Sequence, residues 1–136
     1  MKRYFRSALL LTPRLQHMTY AVGYSNCVSL SQPAITSGSR NDSFDAVRGC
    51  LDLPSTGPAA TTVTWNTGQT SAISGTTTAV NVGGQTVFTW QGTVTSGLFT
   101  GAGFTEVIAQ NSLNLLACVF APGVTTQSGT GTFIST

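Results

Sequence analysis

The chain has few groups able to move a proton, hold a metal or attack a substrate: four carboxylates, one imidazole and three thiols. The acids are Asp42, Asp45, Asp52 and Glu106. Three of them lie in or beside one loop, and Glu106 falls within a β-prone run. Glycoside hydrolysis needs two carboxylates facing each other across a cleft, and this distribution does not supply them. His17 has no second histidine with which to bind a metal, and a lone imidazole on a polar strand face gives a Ser-His-acid arrangement little footing. Asn41 to Asp45 gathers oxygen atoms. A calcium loop needs about six to eight oxygens from a shaped turn, so this stretch reads as a turn leading into a strand. No glycine loop precedes a helix to cradle phosphate. The residues therefore predict no catalytic group, no metal site and no cofactor, and the chain reads as a non-enzyme.

Those side chains must be carried by a β framework. Hydrophobic residues make up 40% of the chain and glycine contributes 15 positions, which with abundant Thr and Val is the composition of an all-β domain with tight turns. Thr61 to Ser96 shows this in detail. Gly83-Gly84 suits a two-residue hairpin turn with both φ values positive. Pairing Val82 with Gln85 then sets Ala79 opposite Phe88, Thr77 opposite Trp90, Gly75 opposite Gly92 and Ile73 opposite Val94, all on one face. The other face carries Thr78 with Thr89, Thr76 with Gln91 and Ser74 with Thr93. For Val63 and Trp65 to join the apolar face, the preceding turn must be Asn66-Thr67-Gly68, with Gly68 at the left-handed position. Val63, Trp65, Ile73, Phe88, Trp90 and Val94 are thus the expected core.

Arg14 to Tyr24 alternates as a strand, with Met18, Tyr20, Val22 and Tyr24 on one face and His17 on the other. Further strands are expected at Ser43 to Leu51, Ala102 to Gln110 and Val124 to Ile134, with Ser25 to Asp42 a polar loop and Asp52 to Pro58 a connection. Seven strands and no substantial helix predict an antiparallel, immunoglobulin-like β-sandwich. Residues 11–136 form its single domain. Residues 1–10 begin like a basic signal-peptide n-region, but the apolar stretch is short, so they read as a non-native or truncated leader outside the fold. No apolar segment reaches about 20 residues, the length a membrane-spanning helix needs. Four of the six cations lie in the first 14 residues, and no basic stripe accompanies the aromatics, which argues against nucleic acid.

Three cysteines leave one unpaired. If every connection is a hairpin, Cys50 and Cys118 lie at one end of the domain and Cys27 at the other. Parity therefore predicts a Cys50–Cys118 disulfide, worth on the order of 4 kcal/mol by chain entropy, and a free thiol at Cys27.

Tyr24-Ser25-Asn26-Cys27, the stretches from Thr62 to Ser71 and from Gly92 to Gly101, Leu113 to Cys118 and Pro122-Gly123-Val124-Thr125 together resemble a group of small secreted actinobacterial β-rich proteins of unknown function. The resemblance spans roughly residues 9 to 136 and carries no catalytic motif. It implies an extracellular domain. It also implies a further N-terminal strand, often with a cysteine near it, ahead of the segment from Leu11 to Arg14; such a cysteine would be the partner that Cys27 lacks.

The expected role is that of an exported structural or accessory domain. The alternative is a carbohydrate- or cell-envelope-binding module, whose partner would be a polysaccharide or cell-surface component. Leu98 and Phe99, in the loop after Ser96, are its candidate binding residues, because Phe99 is the aromatic that no strand explains. An exposed patch there favours binding; folding of both onto the core favours a structural domain.

Overall fold

The computed structural model describes residues 2–9, 14–48, 56–111 and 124–135. They form eight antiparallel strands, β1 (Lys2–Leu9), β2 (Arg14–Tyr24), β3 (Gly38–Arg48), β4 (Gly57–Trp65), β5 (Thr70–Val82), β6 (Gln85–Gly97), β7 (Gly103–Asn111) and β8 (Val124–Ser135). Each strand pairs with its neighbours in sequence, and β1 pairs with β8, so one sheet curls into a barrel.

This corrects the expected sandwich. There are not two packed sheets but one sheet whose inner face meets itself. The in–out alternation that suggested two apolar faces serves a barrel equally well, since a barrel strand also buries every second side chain. What separates the two folds is the pairing of the outer strands, and side-chain pattern does not report it. Residues 2–9, expected outside the domain, form β1: Lys2 lies opposite Ala21 on β2 and opposite Ser128 on β8.

The central hairpins have the expected register. Val82 pairs with Gln85, Ala79 with Phe88, Thr77 with Trp90, Gly75 with Gly92 and Ile73 with Val94. The first turn closes with Trp65 N–H donating to Gln69 O at 2.8 Å, and Gly68 has φ 87°. Val63, Trp65, Ile73, Phe88, Trp90 and Val94 are all buried. One irregularity was not foreseen. The β5–β6 register shifts after Ala72–Ser96, leaving Thr95 as an extra residue whose hydroxyl donates back to Ala72 O at 3.2 Å. Gly75 and Gly92 mark a tight corner. A Cβ at Gly92 would lie 1.9 Å from Ser74 O, so only glycine lets the two backbones coil this closely.

Two elements begin earlier than expected. β3 starts at Gly38 rather than Ser43, and β4 starts at Gly57 rather than Thr61. Between them the barrel wall is thin. β3 and β4 share only two residue pairs, Gly38–Trp65 and Ser39–Thr64, whereas β3 pairs with β2 from Gly38 to Arg48 and β4 with β5 from Gly57 to Thr64.

Candidate functional site

The inward face of β3 carries the residues that matter most. Arg40 and Asp42 follow Gly38 at a spacing of two, so they share the face on which Gly38 meets Trp65. Across the barrel, Glu106 on β7 pairs with Trp90 on one side and Phe133 on the other, and is 3% exposed. Tyr24 ends β2 on the same inward face.

These four residues form one network. Arg40 Nη2 donates to Glu106 Oε1 at 2.7 Å, Nη1 donates to Asp42 Oδ2 at 3.1 Å, and Nε donates to the Tyr24 hydroxyl oxygen at 3.1 Å. The Tyr24 hydroxyl donates to Glu106 Oε2, and the Thr61 hydroxyl donates to Asp42 Oδ1. The Arg40 guanidinium lies over the Trp90 ring, 4.9 Å from its centre. Burial and the neighbouring Glu106 carboxylate push the Tyr24 phenol well above its ordinary value, outweighing the opposing pull of Arg40. For Arg40, burial alone would lower the value. The Glu106 carboxylate and the Tyr24 oxygen outweigh it and hold the guanidinium above its ordinary range.

Both Glu106 oxygens and all three guanidinium nitrogens are therefore engaged within the protein. The network ties β2, β3, β4 and β7 together. Two further polar atoms in the interior, Trp90 Nε1 and Gln110 Oε1, are buried without a hydrogen-bond partner.

The sequence missed Arg40 and Asp42 as site residues because it placed both in a loop. A strand whose inward positions read Gly, Arg, Asp lacks the apolar alternation that marks a strand. Glu106 was singled out as the acid within a strand, but not its partners. Asp45, the last residue of the oxygen-rich stretch from Asn41, points the other way from Asp42: it pairs with His17 on the outer face, Nδ1 to Oδ1 at 2.7 Å. Among the described residues no group of three or more His, Cys, Asp or Glu could hold a metal.

At the Tyr24 end the barrel mouth is plugged. Ile35, 3% exposed, packs with Val63, Trp65, Ile73, Trp90, Val94 and Phe104. Its loop is clamped by Asn66, which lies in the β4–β5 turn. The Asn66 Oδ1 accepts from Thr36 N–H (2.9 Å) and Ser37 N–H (3.3 Å), Nδ2 donates to Ala34 O (2.9 Å), and the backbone N–H donates to Ser37 O (3.0 Å). Leu98 and Phe99 lie at this same end. Both are half-buried and packed against the core. Phe99 adopts φ 65°, and its ring meets Trp65 edge-on at 5.9 Å. Trp65 Nε1 in turn donates to Ser71 Oγ, which donates to Leu98 O. The two residues are folded down, not raised as a stacking platform.

Cys27 is a free thiol at this mouth, and partial burial raises its value above the ordinary one. Cys50 and Cys118 lie outside the described residues. The strand order does place Arg48, which ends β3, and Asn111, which ends β7, at the end opposite Cys27. Among the described residues no helix is long and apolar enough to cross a membrane.

Comparison with known proteins finds no matching family model, no similar curated protein and no similar solved structure.

Proposed function

We propose that the protein is an exported, non-enzymatic β-barrel domain with a structural or accessory role outside the cell. The observation that carries the reading is the use of its reactive groups. Tyr24, Arg40, Asp42 and Glu106 are spent on one another in the barrel interior, and the loop aromatic Phe99 is spent on Trp65. An eight-stranded barrel has a bore narrow enough for side chains to fill, and the buried residues from Val63 to Ile108 occupy it. The extracellular compartment is supported by the resemblance that the sequence carries.

The test is a purified sample offered chromogenic glycosides, esters and peptides, and sedimented with insoluble peptidoglycan, chitin and cellulose. The expected outcome is no turnover and no depletion from the supernatant. Turnover that Glu106→Gln abolishes would overturn the non-enzymatic reading. Depletion that Phe99→Ala abolishes would favour the carbohydrate- or envelope-binding module instead.

A further inference from the structure

Charged side chains are spread unevenly over the barrel. After Asp52 the only charged residue is Glu106, and its carboxylate is buried in the bore. The outer surface of β4 to β8 therefore presents no charged side chain. The described ion pair on the outside, His17 with Asp45, belongs to β2 and β3. Roughly a quarter or more of a well-solvated surface is charged, so five bare strands are not what solvation alone asks for.

The centre of this face is apolar. Phe88 and Ile108 pair with each other and are buried, so the adjoining row faces outward. In that row Val80 lies opposite Val87, and Val87 opposite Ala109. Val80 is 58% exposed, and Val82, the next outward residue, is 60% exposed. Val107 joins them from the next row, opposite Thr89. Exposed threonines surround this centre, Thr78 on β5 and Thr130 and Thr132 on β8. An apolar centre with a hydrogen-bonding rim is the anatomy of a protein interface.

We propose that this face binds a second copy of the chain, sheet against sheet, about a twofold axis passing close to Val87. In such a contact a residue near the axis meets its own copy, so a charge there would meet its like. A face without charge meets that condition at every position. Other occupants fit it less well. A partner recognised by charge finds none to bind. A sugar platform needs outward aromatic rings, and Trp65, Phe88, Trp90 and Phe104 are all buried. A bilayer core would leave the threonine hydroxyls unsatisfied. The outward rows run from Ser74–Thr93 to Val82–Gln85 at every second pair, which makes five. Across β5 to β8, strand and row spacings give about 650 Å² per partner, or about 1,300 Å² in total. Curvature of the barrel trims this, so the contact is a small one and the expected dissociation constant is on the order of micromolar.

The test is sedimentation velocity of the full chain from about 1 μM to about 1 mM, a range that brackets such a constant. The mass should rise from monomer to dimer across it. Val87→Lys sets like charges together at the axis and should weaken the dimer roughly a hundredfold, and Val87→Glu should do the same. Mixed in equal amounts, the two variants should recover the dimer, because each charge then meets its opposite. Ser43→Lys, at an exposed position on β3, should leave the dimer unchanged. If the Val87 variants do not fold, Thr89→Lys and Thr89→Glu repeat the pair one row away. A monomer at every concentration, a dimer that Val87→Lys leaves intact, or charge variants that stay monomeric when mixed would each overturn the proposal. A monomer that sediments with phosphatidylglycerol vesicles would also overturn it and give the face to a lipid surface.

Discussion

The Tyr24 hydroxyl donates to the Glu106 carboxylate from 82 residues away in sequence, and Arg40 bonds to both. Three strands thus meet at one buried charge pair. Removing one partner of such a pair leaves the other charge buried and short of its partner. Glu106→Gln is expected to lower unfolding stability by about 3 kcal/mol, because Asp42 continues to hold Arg40 and keeps the loss near the low end for a buried ion pair. Urea denaturation measures it. In a double-mutant cycle with Tyr24→Phe, the two losses should fail to add by about 1 kcal/mol, since both residues share Arg40.

The raised Tyr24 phenol fixes a pH dependence. A group whose value is higher in the folded state contributes stability that is complete below its unfolded value, about 10 for tyrosine, and is lost as pH rises beyond it. The stability difference between the wild type and Tyr24→Phe is therefore expected to be flat through neutral pH and to shrink above about pH 10. Melts of both proteins across pH 7 to 11 test this. A difference that grows with pH would refute the burial of this phenol beside Glu106.

Two glycines should fail for different reasons. Gly68 has φ 87° with nothing within 4 Å of a built Cβ, so Gly68→Val carries backbone strain alone, about 1 to 2 kcal/mol. At Gly92 the φ is not positive, but a Cβ would strike Ser74 O. Gly92→Ala is expected to cost more than Gly68→Ala, and its effect should be relieved by no change of side chain, because the obstacle is backbone. Thermal melts of the two alanine variants rank them.

Peptide mapping without reduction tests the cysteines. The antiparallel strand order puts the outgoing ends of β3 and β7 at one end of the barrel and Cys27 at the opposite end. The expected product is a Cys50–Cys118 crosslinked peptide with Cys27 alkylatable. A Cys27–Cys50 or Cys27–Cys118 peptide would contradict that strand order.

The parts of the fold legible in the sequence were those fixed by local chemistry. Gly83-Gly84 and Asn66-Thr67-Gly68 dictate turn geometry. That geometry fixes register, and register fixes which of Trp65, Phe88 and Trp90 face inward. The closure of the barrel was not legible, because β1–β8 pairing leaves no local mark. The interior network was hidden for another reason. Arg40 and Asp42 are polar residues at inward positions, and a pattern search reads inward positions by their hydrophobicity. Only their partners across the bore make them interior residues, and those partners are on other strands. Asn66 was counted as a turn former, but its side chain also holds the Ala34 to Ser37 segment, a contact 30 residues upstream at Thr36.

The next-neighbour strand order also shapes how this protein reaches its fold. Each hairpin from β4 to β7 can form from residues close in sequence, so most of the sheet needs only short loops to close. The β1–β8 pairing is different: Lys2 must find Ser128 after nearly the whole chain has been laid down. That step pays the largest loop-closure entropy and gains the ladder of a single strand pair. By loop-closure entropy this pairing is expected to form after the β4–β7 meander, with β1 as the latch of the barrel.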